Sequence, residues 1–117
     1  MHVSDLEACA RTNFSDLPLE KAIECSKRFT YHSAPSFGNA LQYGGYKDVD
    51  NVAYIFCTED KTLPPTFQQQ QIDNINESRK GKRGEVKVYK LPTSHCPHAS
   101  KPVDLAMLVV EAIKAFD

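Results

Sequence analysis

Two apolar runs, VAYIFCTED at 52–60 and EVKVYKLP at 85–92, flank the polar, glutamine-rich stretch TFQQQQIDNINESRK, and this alternation constrains the fold more than any other feature. The first run is almost uninterrupted and ends in charge, the pattern of a strand buried on both faces in a parallel sheet, assigned to residues about 52–58. The second, at about 85–91, sets Val86, Val88 and Leu91 against Lys87 and Lys90, which reads as a strand with one polar face near a sheet edge. Between them Phe67, Gln71, Ile72 and Ile75 share one side of a helix that starts near Pro64 or Pro65. Proline is tolerated there because the first N–H groups of a helix have no partners. A strand, a helix and a strand joined this closely imply parallel pairing through a right-handed crossover.

The flanks complete an α/β layout with a small parallel sheet. LPLEKAIECSKRF predicts a helix over about 17–29, with Asp16 as its cap and Pro18 in its first turn. The stretch from Thr30 to Asn51 mixes Pro35, Gly38, Gly44 and Gly45 with aromatics and reads as packed, irregular chain. Phe37, Tyr43, Tyr46 and Tyr54 are expected to pack in the core and the cap, and RKGKRG at 79–84 to be a solvated turn. At the end, Val103, Ala106, Met107, Val110, Ile113 and Ala115 recur at three- and four-residue steps, a helix expected to cover a sheet face with that stripe.

With 14 Lys and Arg against 15 Asp and Glu, the 117 residues give no electrostatic case for nucleic acid. No apolar run approaches the roughly 20 residues of a membrane span, and MHVSDLEACARTNF lacks the basic and apolar regions of a secretion signal. The reading is a soluble cytoplasmic protein whose Cys9, Cys25, Cys57 and Cys96 are reduced thiols. No C-x-x-C occurs, and no cofactor or metal is called for.

Functional groups in a parallel sheet gather beyond the carboxyl ends of its strands. TED at 58–60 and SHCPH at 94–98 take those positions, side by side at one rim. Zinc ligation by His95, Cys96 and His98 with Cys57 is an alternative, but H-C-x-H is not a regular zinc spacing. A cysteine nucleophile paired with His95 is another, with Cys96 badly placed next to that histidine and Cys57 reading as a small buried hydrophobe.

An acid after one strand and a histidine after the next is the second half of a Ser–acid–His system in α/β-hydrolase order. FSDLP at 14–18, SAPSF at 33–37 followed by YGGYKDV, YIFCTEDKTLPPTFQQQQI and SHCPHASKP carry the likeness further. The chain resembles the C-terminal half of small esterase-like α/β-hydrolases, the branch related to plant methylesterases and hydroxynitrile lyases, with C-x-x-D-x-x-x-P after a strand and S-H-x-P before the last helix. The resemblance implies that Asp60 is the triad acid and His95 the catalytic base, with Glu59 as the weaker candidate carboxylate. It divides the chain into a cap-region remnant at 1–50 and the C-terminal part of the core at 51–117.

One departure dominates: G-x-S-x-G, the nucleophile elbow of such enzymes, does not occur in these residues, nor do the strands that would bear it and the oxyanion hole. The expectation is therefore a truncated esterase-like hydrolase, inactive alone. The alternatives are a noncatalytic accessory protein binding an ester-like small molecule, as in secondary metabolism, and a fragment without activity. A strand edge with no partner implies self-association or a complementary N-terminal half.

Overall fold

A computed structural model describes residues 5–117. Two helices, α1 (Leu6–Asn13) and α2 (Leu19–Ser26), lead into an irregular segment with short 3-10 turns at Ala34–Phe37 and Gly45–Lys47. Strand β1 (Ala53–Cys57), helix α3 (Pro65–Arg79) and strand β2 (Lys87–Leu91) follow, then one helical turn, α4 (Pro97–Ser100), and the long helix α5 (Pro102–Lys114). Among the described residues the sheet has two strands, paired parallel with Ala53 opposite Lys87 and Cys57 opposite Leu91. The arrangement is consistent with part of an α/β fold. No described helix is long and apolar enough to cross a membrane.

Helix α1 was not foreshadowed. Its stability is local: the Asp5 carboxylate accepts from the Ala8 N–H at 2.9 Å, and Glu7 pairs with Arg11 one turn on. Ala10 and Phe14 then pack with Ala22 of α2 and with Cys96 beyond β2, a first small core. The expected helix over 17–29 is shorter, because Pro18, which lies outside it at ψ 138°, starts the helical run and Lys27 ends it. The second core lies between sheet and α3, where Phe56, Ile72 and Val86 meet Val52, Tyr54 and Ile75.

Helix α3 covers most of the expected stripe, with Ile72 buried and Gln71 and Ile75 half-buried, but its inward side is extended by two polar residues and leaves Phe67 out. Gln68, Ile72 and Arg79 face inward, and Phe67 is exposed. The reason lies at the sheet edge. In a parallel ladder alternate residues aim their backbone groups to opposite sides. Val52 accepts from Lys87 and Thr58 donates to Leu91, so the even-numbered residues of β1 serve β2 and Cys57 faces away. Gln68 satisfies that orphan: its Oε1 accepts from the Cys57 N–H at 3.0 Å and its Nε2 donates to the Cys57 carbonyl at 2.8 Å. One side-chain amide stands in for a third strand at that residue.

Arg79 also departs from expectation. It is 1% exposed, not part of a solvated turn, and donates to the carbonyls of Gly84 at 2.7 Å, Val49 at 2.8 Å, Asp50 at 2.8 Å and Tyr46. A guanidinium offers five donors in a planar fork, enough to gather an irregular stretch that has no ladder of its own. The segment before β1 is thus tied to the end of α3.

Three further expectations fail for one reason, the openness of the molecule. Strand β1 is fully buried only at Phe56 and Cys57. Phe37, Tyr43 and Tyr46 are exposed, and only Tyr54 is half-buried. On α5 the stripe of Val103, Met107, Val110 and Ile113 faces outward, while Ala112 is buried and Leu105, Leu108 and Phe116 are half-covered. The Cα radius of gyration, 16.1 Å, exceeds the roughly 13 Å of a compact domain of this length.

Candidate active site

The ladder between β1 and β2 runs on past both strands. Thr58 N–H donates to Leu91 at 3.0 Å and Glu59 N–H to Thr93 at 3.1 Å, so the two loops leave the sheet in register. Asp60 and His95 meet just beyond: His95 Nδ1 lies 2.8 Å from Asp60 Oδ2. Glu59 is exposed and makes no such contact.

Asp60 is 6% exposed and its second oxygen is also committed. Oδ1 accepts from the backbone N–H groups of Thr62 and Leu63, each at 2.8 Å, closing an Asx turn ahead of α3. The carboxylate therefore has no freedom to rotate away from the imidazole. With Oδ2 accepting, the proton of a neutral His95 belongs on Nδ1, which leaves Nε2 as a base. The His95 side chain is 30% exposed, whereas that of Asp60 is 4% exposed. The pair thus has a buried, fixed acid and a histidine that reaches the surface.

A third carboxylate, missed by the motif reading, holds the histidine loop. Asp16 does not cap α2, whose first residue has no side-chain cap. Instead its Oδ2 accepts from Thr93 Oγ1 at 2.9 Å and the Ser94 N–H at 3.1 Å, and Oδ1 accepts from Ser94 Oγ at 2.5 Å. Asn13 supports the same junction, its carbonyl accepting from Ser94 Oγ at 3.2 Å and its side-chain oxygen from Thr62 Oγ1 at 2.9 Å. The connector between α1 and α2 thus grips both loops, and Thr93 and Ser94 are fully buried.

Burial works against ionisation of Asp16, but the hydroxyls of Ser94 and Ser100, the Ser94 N–H and the Thr93 hydroxyl outweigh it and hold the carboxyl at about 2, below its ordinary 3.8. Because the folded value is depressed, the stabilisation it brings is full above the unfolded value and disappears as pH falls through the folded one. The stability gap between the native chain and Asp16→Asn should therefore be widest near neutrality and close between pH 3.8 and about 2. Urea midpoints of both chains across that range measure it; a gap independent of pH would contradict the assignment.

The thiols are poorly suited to nucleophilic work. Burial, then the neighbouring Asp60 charge and the other thiols, pushes Cys96 up to about 11. Burial and the charges of Asp60 and Asp16 also raise Cys57. Both stay protonated near neutral pH, and a thiol is a far weaker nucleophile than a thiolate. Cys96 packs among apolar side chains instead. Among the described residues no three His, Cys, Asp or Glu side chains converge on a point that could hold a metal ion, so His95, Cys96, His98 and Cys57 do not form the alternative zinc set.

No family model matches the chain. It is 36% identical over 111 residues to a protein from a Phoma species described as probable hydrolase R7, a match taking in 95% of this chain and 43% of that protein. It is 38% identical over 72 residues to norfluorocurarine synthase 2 from Strychnos nux-vomica, covering 62% of this chain and 24% of that one. The chain spans less than half the length of either relative.

Proposed function

We propose that the chain carries the acid and the base of a serine-esterase-like α/β-hydrolase site, Asp60 and His95, and that the nucleophile and oxyanion donors belong to polypeptide outside these 117 residues. The observation that carries this reading is the 2.8 Å bond between His95 Nδ1 and an Asp60 carboxylate locked by two backbone N–H groups. The similarity to a probable hydrolase along 95% of the chain supports it. In this reading residues 1–50 belong to the cap side of the site and 51–117 to the core.

The chemistry follows from the tautomer. Nε2 of His95 takes the proton of a serine hydroxyl as its oxygen attacks an ester carbonyl, and Asp60 stabilises the imidazolium that results. The same proton then passes to the departing alcohol. A water deprotonated by His95 releases the acid in the second half of the cycle.

Two preparations test the reading. The isolated chain should neither hydrolyse p-nitrophenyl acetate beyond the background of free imidazole nor bind a fluorophosphonate at any serine. A chimera, in which these residues replace the matched region of the Phoma protein, should take up the fluorophosphonate at one serine and lose that uptake on His95→Ala. Stoichiometric labelling of the isolated chain, or labelling of the chimera that ignores His95→Ala, would overturn it.

A further inference from the structure

Two surfaces of the molecule are built like interior and left uncovered by the described residues. The first is the outer edge of β1. Ala53, Ile55 and Cys57 aim their backbone groups away from β2, and among the described residues only Cys57 finds a partner there, Gln68. Edges that meet water are usually defended by charge. The far edge of β2 has such a defence in Lys90, whereas AYIFC has no charged residue at all. The second surface is the outward side of α5, where Val103 is 70%, Met107 66% and Val110 50% exposed. A helix apolar on both sides belongs between two layers, and α5 has one.

We infer that these two surfaces are the docking site for a complementary polypeptide that adds a parallel strand along Ala53 and Ile55 and lays an apolar layer over Val103, Met107 and Val110. The inference rests on the proposed function, for it names the partner that would bring the nucleophile. Its occupant is the kind of chain that makes up the unmatched 57% of the Phoma protein, 100% less the 43% matched.

A second copy of this chain fits the edge badly. Two identical edges related by a two-fold axis pair antiparallel. Centred on Ile55, that pairing would set Ala53 opposite Cys57, whose N–H and carbonyl are already held by Gln68. A parallel strand can enter at Ala53 and end at Ile55 without displacing Gln68. The unbroken apolar run of β1 is also the signature of parallel neighbours on both sides.

The full chain is co-expressed with the unmatched part of the Phoma protein, and association is read by mass, not by activity. A one-to-one complex is expected, with amide exchange at Ala53 and Ile55 slowed and Met107 protected from peroxide. Met107→Asp and Val110→Asp, at positions already exposed in the free chain, should weaken association by about tenfold or more and leave its circular dichroism unchanged. Leu41→Asp, at an exposed position outside both surfaces, should not weaken it. If the unmatched part is insoluble alone, the chimera gives the same exchange and oxidation readings. A homodimer that protects Ala53 and Ile55, a complex indifferent to both α5 substitutions, or a chimera in which Met107 stays open to peroxide would each overturn the inference. A complex that forms without His95-dependent serine labelling would leave the docking site standing and sink the proposed function.

Discussion

Asp60→Asn in the chimera is expected to lower kcat/KM for p-nitrophenyl acetate by about ten-thousandfold while leaving the fold intact. The asparagine oxygen can still accept from the N–H groups of Thr62 and Leu63, so the Asx turn survives. Its NH2 group must then point at His95 Nδ1, and a donor facing Nδ1 forces the imidazole proton onto Nε2. The base is thereby lost although every heavy atom stays in place. Steady-state rates beside a urea titration measure both halves of the expectation. A loss below about tenfold would mean that Asp60 serves the turn and not the histidine.

Arg79→Ala is expected to cost about 3 kcal/mol or more of stability. Four carbonyls lose a charged donor at once, and the vacated site lies under the chain at 46–50. Arg79→Lys should recover only part of this, because an ammonium is a point donor and cannot span carbonyls that a planar fork reaches together. Urea denaturation gives the loss, and hydrogen exchange over residues 44–50 gives its location. A substitution that shifts the midpoint without loosening that segment would place the stabilisation elsewhere.

These two residues differ in how far the sequence announces them. Asp60 sits where an apolar run ends in charge and His95 where the next strand ends, and strand-helix-strand order alone puts both at one rim. The pairing register then decides which carboxylate arrives, since Glu59 is spent on Thr93 through its backbone and faces solvent. Arg79 is invisible by comparison. In RKGKRG four cations look alike, and nothing local distinguishes the one whose side chain turns under the preceding loop. Asp16 is similar: between two helices a carboxylate reads as a cap, and only the arrival of Thr93 and Ser94 from 77 or more residues away gives it another use.

Helix α5 marks the boundary most sharply. Its apolar residues repeat at helical spacing along more than one stripe, so periodicity establishes the helix without choosing the side that meets the sheet. Leu105, Leu108 and Ala112 lie toward the covered side, and Val103, Met107 and Val110 are left to solvent. By itself the sequence determined the order of the main elements from α2 onward, the parallel sense of the sheet and the rim where Asp60 and His95 meet, because period and connection length act over a few residues. Tertiary structure alone decided which faces are covered, which of several like-charged side chains is buried and which loops Asp16 joins. Those choices depend on groups distant along the chain, whose desolvation and hydrogen bonding are settled only when the chain brings them together.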